Sequence, residues 1–368
     1  MSATGRATPE ATGNLAARHA ARGAEFHRPG WDGLQVASIG LGTYLGEADD
    51  AGDACYAAAL QRYWQLGGNL VDTAINYRFQ RSERAIGAAL QSALSAGEVN
   101  RAEVVLCTKG GYVAFEGAWP ADPEAWIRER LVDTGLAAPD EIVDGHCMAP
   151  AFLRHEISRS RDNLQVDCID LYYLHNPEGQ RSVVGNDAFR SRLREAFATF
   201  EVAVSQGLIG AYGAATWSGL RAQPQAPDYL ALETLLEVAR DVAGDHHHFR
   251  AVQLPVNFQM LEALGRANQP GTASLAPLLQ VAAEQQVAVM ASASLLQSQV
   301  VGRLPERLRA KFEPGLTDAQ RALQFVRSAP GLTSALAGMS QVAHVEENLR
   351  LAQVPPMTTR AWQSVLRD

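Results

Sequence analysis

Three apolar runs in this 368-residue chain each end in polar side chains that packing alone does not call for. Asn69-Leu-Val-Asp72-Thr73-Ala74-Ile-Asn-Tyr77 ends its apolar stretch in an acid, with a tyrosine five residues on. Glu103-Val-Val-Leu-Cys-Thr-Lys109-Gly-Gly delivers a lysine, and Cys168-Ile-Asp-Leu-Tyr-Tyr-Leu-His175-Asn-Pro delivers a histidine. A phenol has a reference pKa of about 10, so at neutral pH it exchanges a proton usefully only where its anion is stabilised. A lysine ammonium supplies that stabilisation, and a carboxylate holds a buried ammonium in place. An imidazole orients a substrate oxygen by donating or accepting a hydrogen bond. Asp72, Tyr77, Lys109 and His175 together suit proton delivery to a carbonyl oxygen as hydride reaches its carbon, or the reverse reaction on an alcohol.

Each of these residues also has an ordinary reading. Asp-Thr is common turn chemistry, and a lysine beside two glycines is usually solvated. Tyr77 would serve as a rim aromatic, and His175 before Asn-Pro would satisfy backbone groups at a strand end. The case for catalysis rests on their joint occurrence at the ends of successive strands.

The elements that would position them alternate along the chain. Strand-like runs fall at 34–41, 69–72, 103–108, 168–174, 208–213, 251–254, 287–291 and 332–337. Helical patterns lie at 51–66, 82–96, 150–164, 187–206, 229–243, 274–286, 317–328 and 341–353. The strands are apolar on both faces, as in a parallel sheet covered by helices. Alternation of this kind predicts a closed (β/α)8 TIM barrel, which brings Asp72, Lys109 and His175 to one rim and Tyr77 just past it. An open dinucleotide-binding sheet would call for Gly-x-Gly-x-x-Gly opening a helix. Gly40-Leu-Gly42-Thr43-Tyr44-Leu45-Gly46 sets its third glycine one residue late, and no helix opens on that turn. The segments 110–150, 255–272 and 292–316 are long and all follow strands, so they belong to the face where barrel enzymes build their sites. The first carries Trp119, Trp126, His146 and Cys147 and reads as a lid or substrate wall. Residues 1–30, rich in Ala, Arg and Gly, are expected to be a loosely ordered extension packing under a barrel that spans 31–368.

Apolar residues make up 47% and charged residues 20% of the chain, enough for a sizeable core and too ordered a composition for wholesale disorder. The net charge of −8 argues against a nucleic-acid or anionic-membrane surface. No apolar run approaches the roughly 20 residues that span a bilayer. Cys55, Cys107, Cys147 and Cys168 lack metal-ligand spacing, which makes a reduced, cytoplasmic protein the simplest expectation. His246-His247-His248 reads as a solvated turn before a metal site. His146-Cys147 is either a ligand pair or a substrate contact, and Asn176 and Glu178 are positioned to face a polar substrate.

From about Gly33 to the C-terminus the chain resembles the aldo-keto reductases. The matching segments are Ile39-Gly-Leu-Gly-Thr43, Asp72-Thr-Ala-Ile-Asn-Tyr77 followed by Ser82-Glu83-x-x-Ile-Gly87, Thr108-Lys109, and Asp170-Leu-Tyr-Tyr-Leu-His175. An Arg-Phe-Gln-Arg insert separates Tyr77 from Ser82. The resemblance implies a (β/α)8 barrel reducing aldehydes or ketones with NADPH or NADH, with Asp72, Tyr77, Lys109 and His175 as its tetrad and Tyr77 as general acid. It implies cofactor contacts at Gly42, Thr43, Thr216, Gln253, Ser340, His344, Glu347 and Asn348. Three positions depart from the family's pattern. Ala215-Thr216 stands where it has Ser-Asn, Ser292 where it often has an aromatic, and Gly338 and His344 where NADP-preferring members commonly place Lys or Arg. Tyr44 matches a family position near the substrate; Trp119 and Asn176 are further expected substrate contacts. Two other functions use the same residues: a lyase or isomerase working beside a carbonyl without hydride transfer, and a nucleotide-sensing regulator with negligible turnover. The expected partner is a small carbonyl or alcohol, and the sequence does not specify an oligomeric state.

Overall fold

A computed structural model describes residues 2–20, 25–296, 299 and 302–366. Its centre is a closed barrel of eight strands in which every neighbouring pair is parallel. In chain order these are β1 (Ile39–Gly42), β2 (Leu70–Asp72), β3 (Val105–Gly110), β4 (Ile169–His175), β5 (Ile209–Ala215), β6 (Phe249–Pro255), β7 (Ala288–Ser292) and β8 (Ser334–Gly338). Each strand lies beside its sequence neighbours, and β8 closes on β1.

Helices surround the barrel: α1 (Pro9–His19), α2 (Asp50–Gln65), α3 (Arg81–Ser95), α4 (Pro150–Leu164), α5 (Asn186–Ser205), α6 (Leu232–Ala243), α7 (Leu278–Glu284), α8 (Asp318–Arg327), α9 (Val342–Leu349) and α10 (Thr359–Leu366). Their seating follows from spacing. In α2 the buried residues are Tyr56, Ala59, Leu60, Tyr63 and Trp64, one stripe at helical period, and Asp49 caps its start by accepting from Gly52 N at 2.7 Å. α8 opens on a capping box between Thr317 and Gln320. No helix among the described residues is long and apolar enough to cross a membrane.

Strand alternation sorts the barrel's interior into layers. Leu70, Val105, Cys107, Leu171, Tyr173, Ala211, Ala251, Ala288, Met290 and Leu336 belong to one apolar cluster inside it. Advancing two residues along the strands reaches Asp72, Lys109, His175, Gln253, Ser292 and Gly338, and advancing four from Ala211 on β5 reaches Ala215, with Gly42 on β1. The polar tips of β2, β3, β4, β6 and β7 are therefore the next layer of the same packed interior. Gly213 makes room for that packing, since a Cβ there would meet Ala251 O at 2.1 Å and Tyr173 Cδ1 at 3.1 Å.

Two sequence expectations are corrected. Residues 1–30 are not a loose extension where they are described. Thr8 caps α1, which buries Thr12 and Leu15. Ala3 pairs with Val166, and Ala7 N donates to Asp170 Oδ1 at 2.6 Å. These hydrogen bonds come from backbone groups, which composition does not report. The run 34–41 is two strands rather than one. Gln35–Ala37 pairs antiparallel with His27–Pro29, and only β1 joins the barrel. Between them Ser38 ties the two systems, its N donating to Phe26 O at 2.7 Å and its carbonyl accepting from Ala335 N at 2.9 Å. α10 and the short helix Glu178–Val184 lie outside the predicted helices.

Candidate active site

The tips of β2, β3 and β4 bring the tetrad together. Lys109 Nζ lies 2.6 Å from Asp72 Oδ2 and donates to Thr73 O at 2.7 Å. Gln253 Nε2 donates to the other carboxylate oxygen of Asp72 at 2.7 Å. Each oxygen of the acid thus has one partner, a cation on one and an amide on the other, and Lys109 is only 1% exposed. Burial acts to lower the Lys109 pKa, but Asp72 and Tyr77 together outweigh it and the net shift is upward. Its ammonium stands 5.0 Å from the centroid of the Tyr77 ring.

Tyr77 sits in the turn after β2, its N donating to Ala74 O. Burial raises its phenol pKa, with the Lys109 ammonium pulling the other way. The resting group is therefore a protonated phenol beside a cation that favours its anion. Its ring meets Tyr44 at 4.9 Å and His175 at 6.0 Å, both edge-on. His175 is held well below the usual histidine pKa by burial, then by Lys109 and His146, so its imidazole is neutral. Its Nδ1 is buried with no hydrogen-bond partner.

The Arg-Phe-Gln-Arg insert places Arg78, Phe79 and Gln80 in the left-handed region at φ 49°, 55° and 71°. Three such non-glycine residues in a row cost about 1–3 kcal/mol each, and surrounding contacts hold them. Arg78 Nε donates to Glu47 O at 2.8 Å and its Nη2 to Asp53 Oδ1 at 2.7 Å. Gln80 Nε2 donates to Ala114 O at 3.1 Å, and its Oε1 accepts from Asn163 at 3.2 Å. These ties set where the chain goes directly after Tyr77.

A cleft of about 460 Å³ opens over the cluster. Of the predicted site residues, Asp72, Tyr77 and His175 line it, as do Gly42, Thr43, Tyr44, Asn176, Thr216 and Gln253. Lys109 lies behind this surface. The cleft suits a nicotinamide group on two counts. Thr216 Oγ1 is buried with no partner, and a Cβ on Gly338 would meet nothing within 4 Å, so the wall there is open. Ser340, His344, Glu347 and Asn348 follow β8 outside the cleft lining. His344 is exposed, Glu347 accepts from Thr317 Oγ1 at 2.5 Å, and Asn348 is buried with Oδ1 unpartnered.

Trp119 does not line the cleft. It is 67% exposed and packs edge-on against Phe115 and Phe79 on the outer side of the long segment. The wall residue from that segment is Tyr112, which sequence reasoning missed although it lies three residues after Lys109. Trp217, Leu295 and Leu45 also line the cleft and were not predicted. Glu178 does not line the cleft: its Oε1 accepts from the backbone N–H groups of Trp217, Ser218 and Gly219 at 2.7, 3.0 and 3.3 Å. It thereby fixes the loop after Thr216. His146 and Cys147 form no ligand pair, because the His146 ring is engaged by His175 O and Gln180, and Cys147 Sγ accepts from Ala149 N.

Comparison with known proteins agrees with this geometry. Residues 38–299 match the profile of the aldo/keto reductase family. An uncharacterized oxidoreductase, YqkF, of Bacillus subtilis (strain 168) is 22% identical over 337 residues, covering 89% of this chain and 91% of that protein. An NADH-specific methylglyoxal reductase of Escherichia coli (strain K12) is 29% identical over 188 residues, covering 50% of this chain and 49% of that protein. An aldo/keto reductase from Klebsiella pneumoniae, solved in complex with NADP and acetate, superposes with a TM-score of 0.62 at 19% identity, covering 94% of this chain and 95% of that one.

Proposed function

From the premise that this chain belongs to the aldo/keto reductase family and is an NAD(P)-dependent oxidoreductase, we propose that it reduces a small aldehyde or ketone, or oxidises the alcohol, with Tyr77 as the proton donor and acceptor. The observation that supports this most is the Lys109 ammonium, bonded to Asp72 at 2.6 Å and held 5.0 Å from the centre of the Tyr77 ring. A carbonyl oxygen gains negative charge as its carbon is reduced, and a phenol within reach gives up its proton to that oxygen. The phenolate left behind is stabilised by Lys109, while Asp72 keeps the ammonium from moving and Gln253 keeps Asp72 from rotating. Neutral His175 offers the carbonyl oxygen a hydrogen bond without competing as a stronger acid. General acid catalysis of this kind contributes about 10²–10⁴-fold.

Gly42, Thr43, Thr216 and Gln253, with Ser340, His344, Glu347 and Asn348 beyond β8, are the residues we assign to hold the cofactor. Bound there, NADH or NADPH supplies the hydride. Tyr44 and Asn176 border the remaining part of the cleft and are assigned to the substrate, with Tyr112 beside them.

Titration with NADH and with NADPH, followed by rate measurements on a panel of aliphatic and aromatic aldehydes, tests the assignment. Saturable binding of a reduced nucleotide and its stoichiometric oxidation with alcohol formation are expected. Failure to bind either nucleotide, or product formed without nucleotide oxidation, would overturn it.

A further inference from the structure

The segment between β3 and α4 is anchored to the catalytic strands by one buried histidine. His146, 4% exposed, places Nε2 2.6 Å from the carbonyl oxygen of His175. Its Nδ1 lies 3.1 Å from Gln180 Nε2, which also donates to His146 O at 3.0 Å. Gln180 is fully buried, and its Oε1 accepts from Arg192 Nη1 at 2.8 Å. This chain has only one consistent direction. A guanidinium only donates, so the Gln180 atom it meets is the amide oxygen. The Gln180 NH2 then faces Nδ1 and only donates, so Nδ1 carries the lone pair. The ring proton is on Nε2 and is given to His175 O. Arg192 thereby fixes an amide, the amide fixes a tautomer, and the tautomer fixes the end of β4.

Two further contacts point at the cleft. The Tyr112 ring lies between the two imidazoles, 5.0 Å from His146 and 5.1 Å from His175, edge-on to both. Tyr112 OH accepts from Asn176 Nδ2 at 3.3 Å, on the residue that turns left-handed at φ 45° directly after His175. The approach of His146 depends on Gly111. A Cβ there would lie 2.7 Å from His146 Nε2, at a φ of +132°.

We propose that His146 is a positioning residue for the reaction, holding His175 and the Tyr112 wall in register through a hydrogen bond whose direction Gln180 and Arg192 set. The proposal rests on the carbonyl-reduction reading. The chain touches neither the tetrad's charges nor the cleft directly, so it acts through the carbonyl of His175 and the face of Tyr112. Burial pushes the His146 pKa down to about 4, so at neutral pH the ring carries the single proton this geometry requires.

The decisive variant is Gln180→Glu, which keeps the shape, reverses the hydrogen bond to Nδ1 and withdraws the donor from His146 O and Glu141 O. A carboxylate accepts from Nδ1–H, and the ring then retains Nε2–H only while it is cationic. Around the imidazole stand the Gln180 site and, behind it, Arg192, together with Tyr112 and His175; the new carboxylate is the added charge that raises the ring's pKa. The expected result is a kcat near wild type at low pH that falls by about tenfold or more as pH rises through the new ionisation, with KM for the aldehyde changed by less than about threefold. A kcat–pH profile superimposable on that of wild type would overturn the proposal. Nitrogen NMR of wild-type protein carrying ¹⁵N-histidine needs neither the variant nor turnover. It should report His146 as the neutral Nε2–H tautomer at neutral pH, and the Nδ1–H tautomer or an imidazolium there would overturn the chain. Absence of all wild-type turnover would instead defeat the carbonyl-reduction reading, leaving the tautomer to be judged alone.

Discussion

Replacing Lys109 by Met keeps much of the stem's volume and removes the charge on which the site is built. The ammonium is buried and bonded at 2.6 Å to Asp72 and 2.7 Å to Thr73 O. Removing one member of a buried ion pair costs about 3–5 kcal/mol, because the other charge is left uncompensated. Gln253, donating to Asp72 at 2.7 Å, relieves part of this and puts the expected loss at the lower end. The catalytic effect is separate. At the 5.0 Å between Nζ and the ring centroid, two unit charges in an effective dielectric of about 20 interact by roughly 3.3 kcal/mol. That is about 2.4 pKa units of support for the phenolate. Lys109→Met should therefore lower kcat by about 10²–10⁴-fold through the loss of a usable acid. Asp72→Leu combined with Lys109→Met removes both charges and should recover most of the stability while leaving kcat low. Urea unfolding and initial rates of reduced-nucleotide oxidation read the two effects independently. A folded Lys109→Met protein with kcat within about threefold of wild type, or a double variant with restored turnover, would refute the reasoning.

Other consequences follow from groups around the cluster. Burial raises the pKa of Glu156 well above the usual carboxylate range, while its Oε2 accepts from Gly111 N at 2.7 Å. A raised folded-state pKa gives stability that is present below the unfolded value and lost as pH rises through the folded one. Glu156→Gln, which keeps an acceptor for Gly111 N, should match wild type in urea midpoint at mildly acidic pH and exceed it at alkaline pH; a difference that shrinks with rising pH would contradict this. Asp170 pairs with Arg101 at 2.9 Å and accepts from Ala7 N and Leu106 N at the N-terminal end of the barrel. Asp170→Ala should lower unfolding free energy by about 3–5 kcal/mol, measured by chemical denaturation, and a loss below about 1 kcal/mol would show that the pair is not buried as described. Trp119→Ala, on an exposed ring outside the cleft, should leave KM for aldehydes within about twofold, and a larger rise would return Trp119 to the substrate wall.

The strand tips were legible because a barrel strand writes its chemistry at fixed period. Asp72, Lys109 and His175 continue the inward positions of Leu70, Cys107 and Tyr173, so the change from apolar to polar marks the rim. Tyr77 followed from its distance beyond Asp72, but not the left-handed run at 78–80 that directs the chain after it. The long segment was recognisable as a wall, yet the aromatic singled out there, Trp119, faces outward, while Tyr112, which was not singled out, faces in. His146 was visible only as half of a His-Cys pair. Its role depends on Gln180 and Arg192, far along the chain and brought near by the barrel. The N-terminal segment was misjudged for a related reason, because backbone hydrogen bonds to Gln165 and Asp170 order it and leave no compositional trace.

The central claim is that Tyr77 delivers the proton that accompanies hydride transfer, and Tyr77→Phe with pre-bound reduced nucleotide tests it most directly. The variant removes the phenol's hydrogen bond with Lys109, but Lys109 keeps Asp72 and Thr73 O, and the ring keeps its contacts with Tyr44 and His175. Nucleotide affinity and thermal stability should therefore stay near wild type while the single-turnover rate with aldehyde falls by about 10²–10⁴-fold, or roughly 2.7–5.4 kcal/mol in the barrier. A single-turnover rate within about fivefold of wild type, with nucleotide bound, would show that the proton comes from elsewhere.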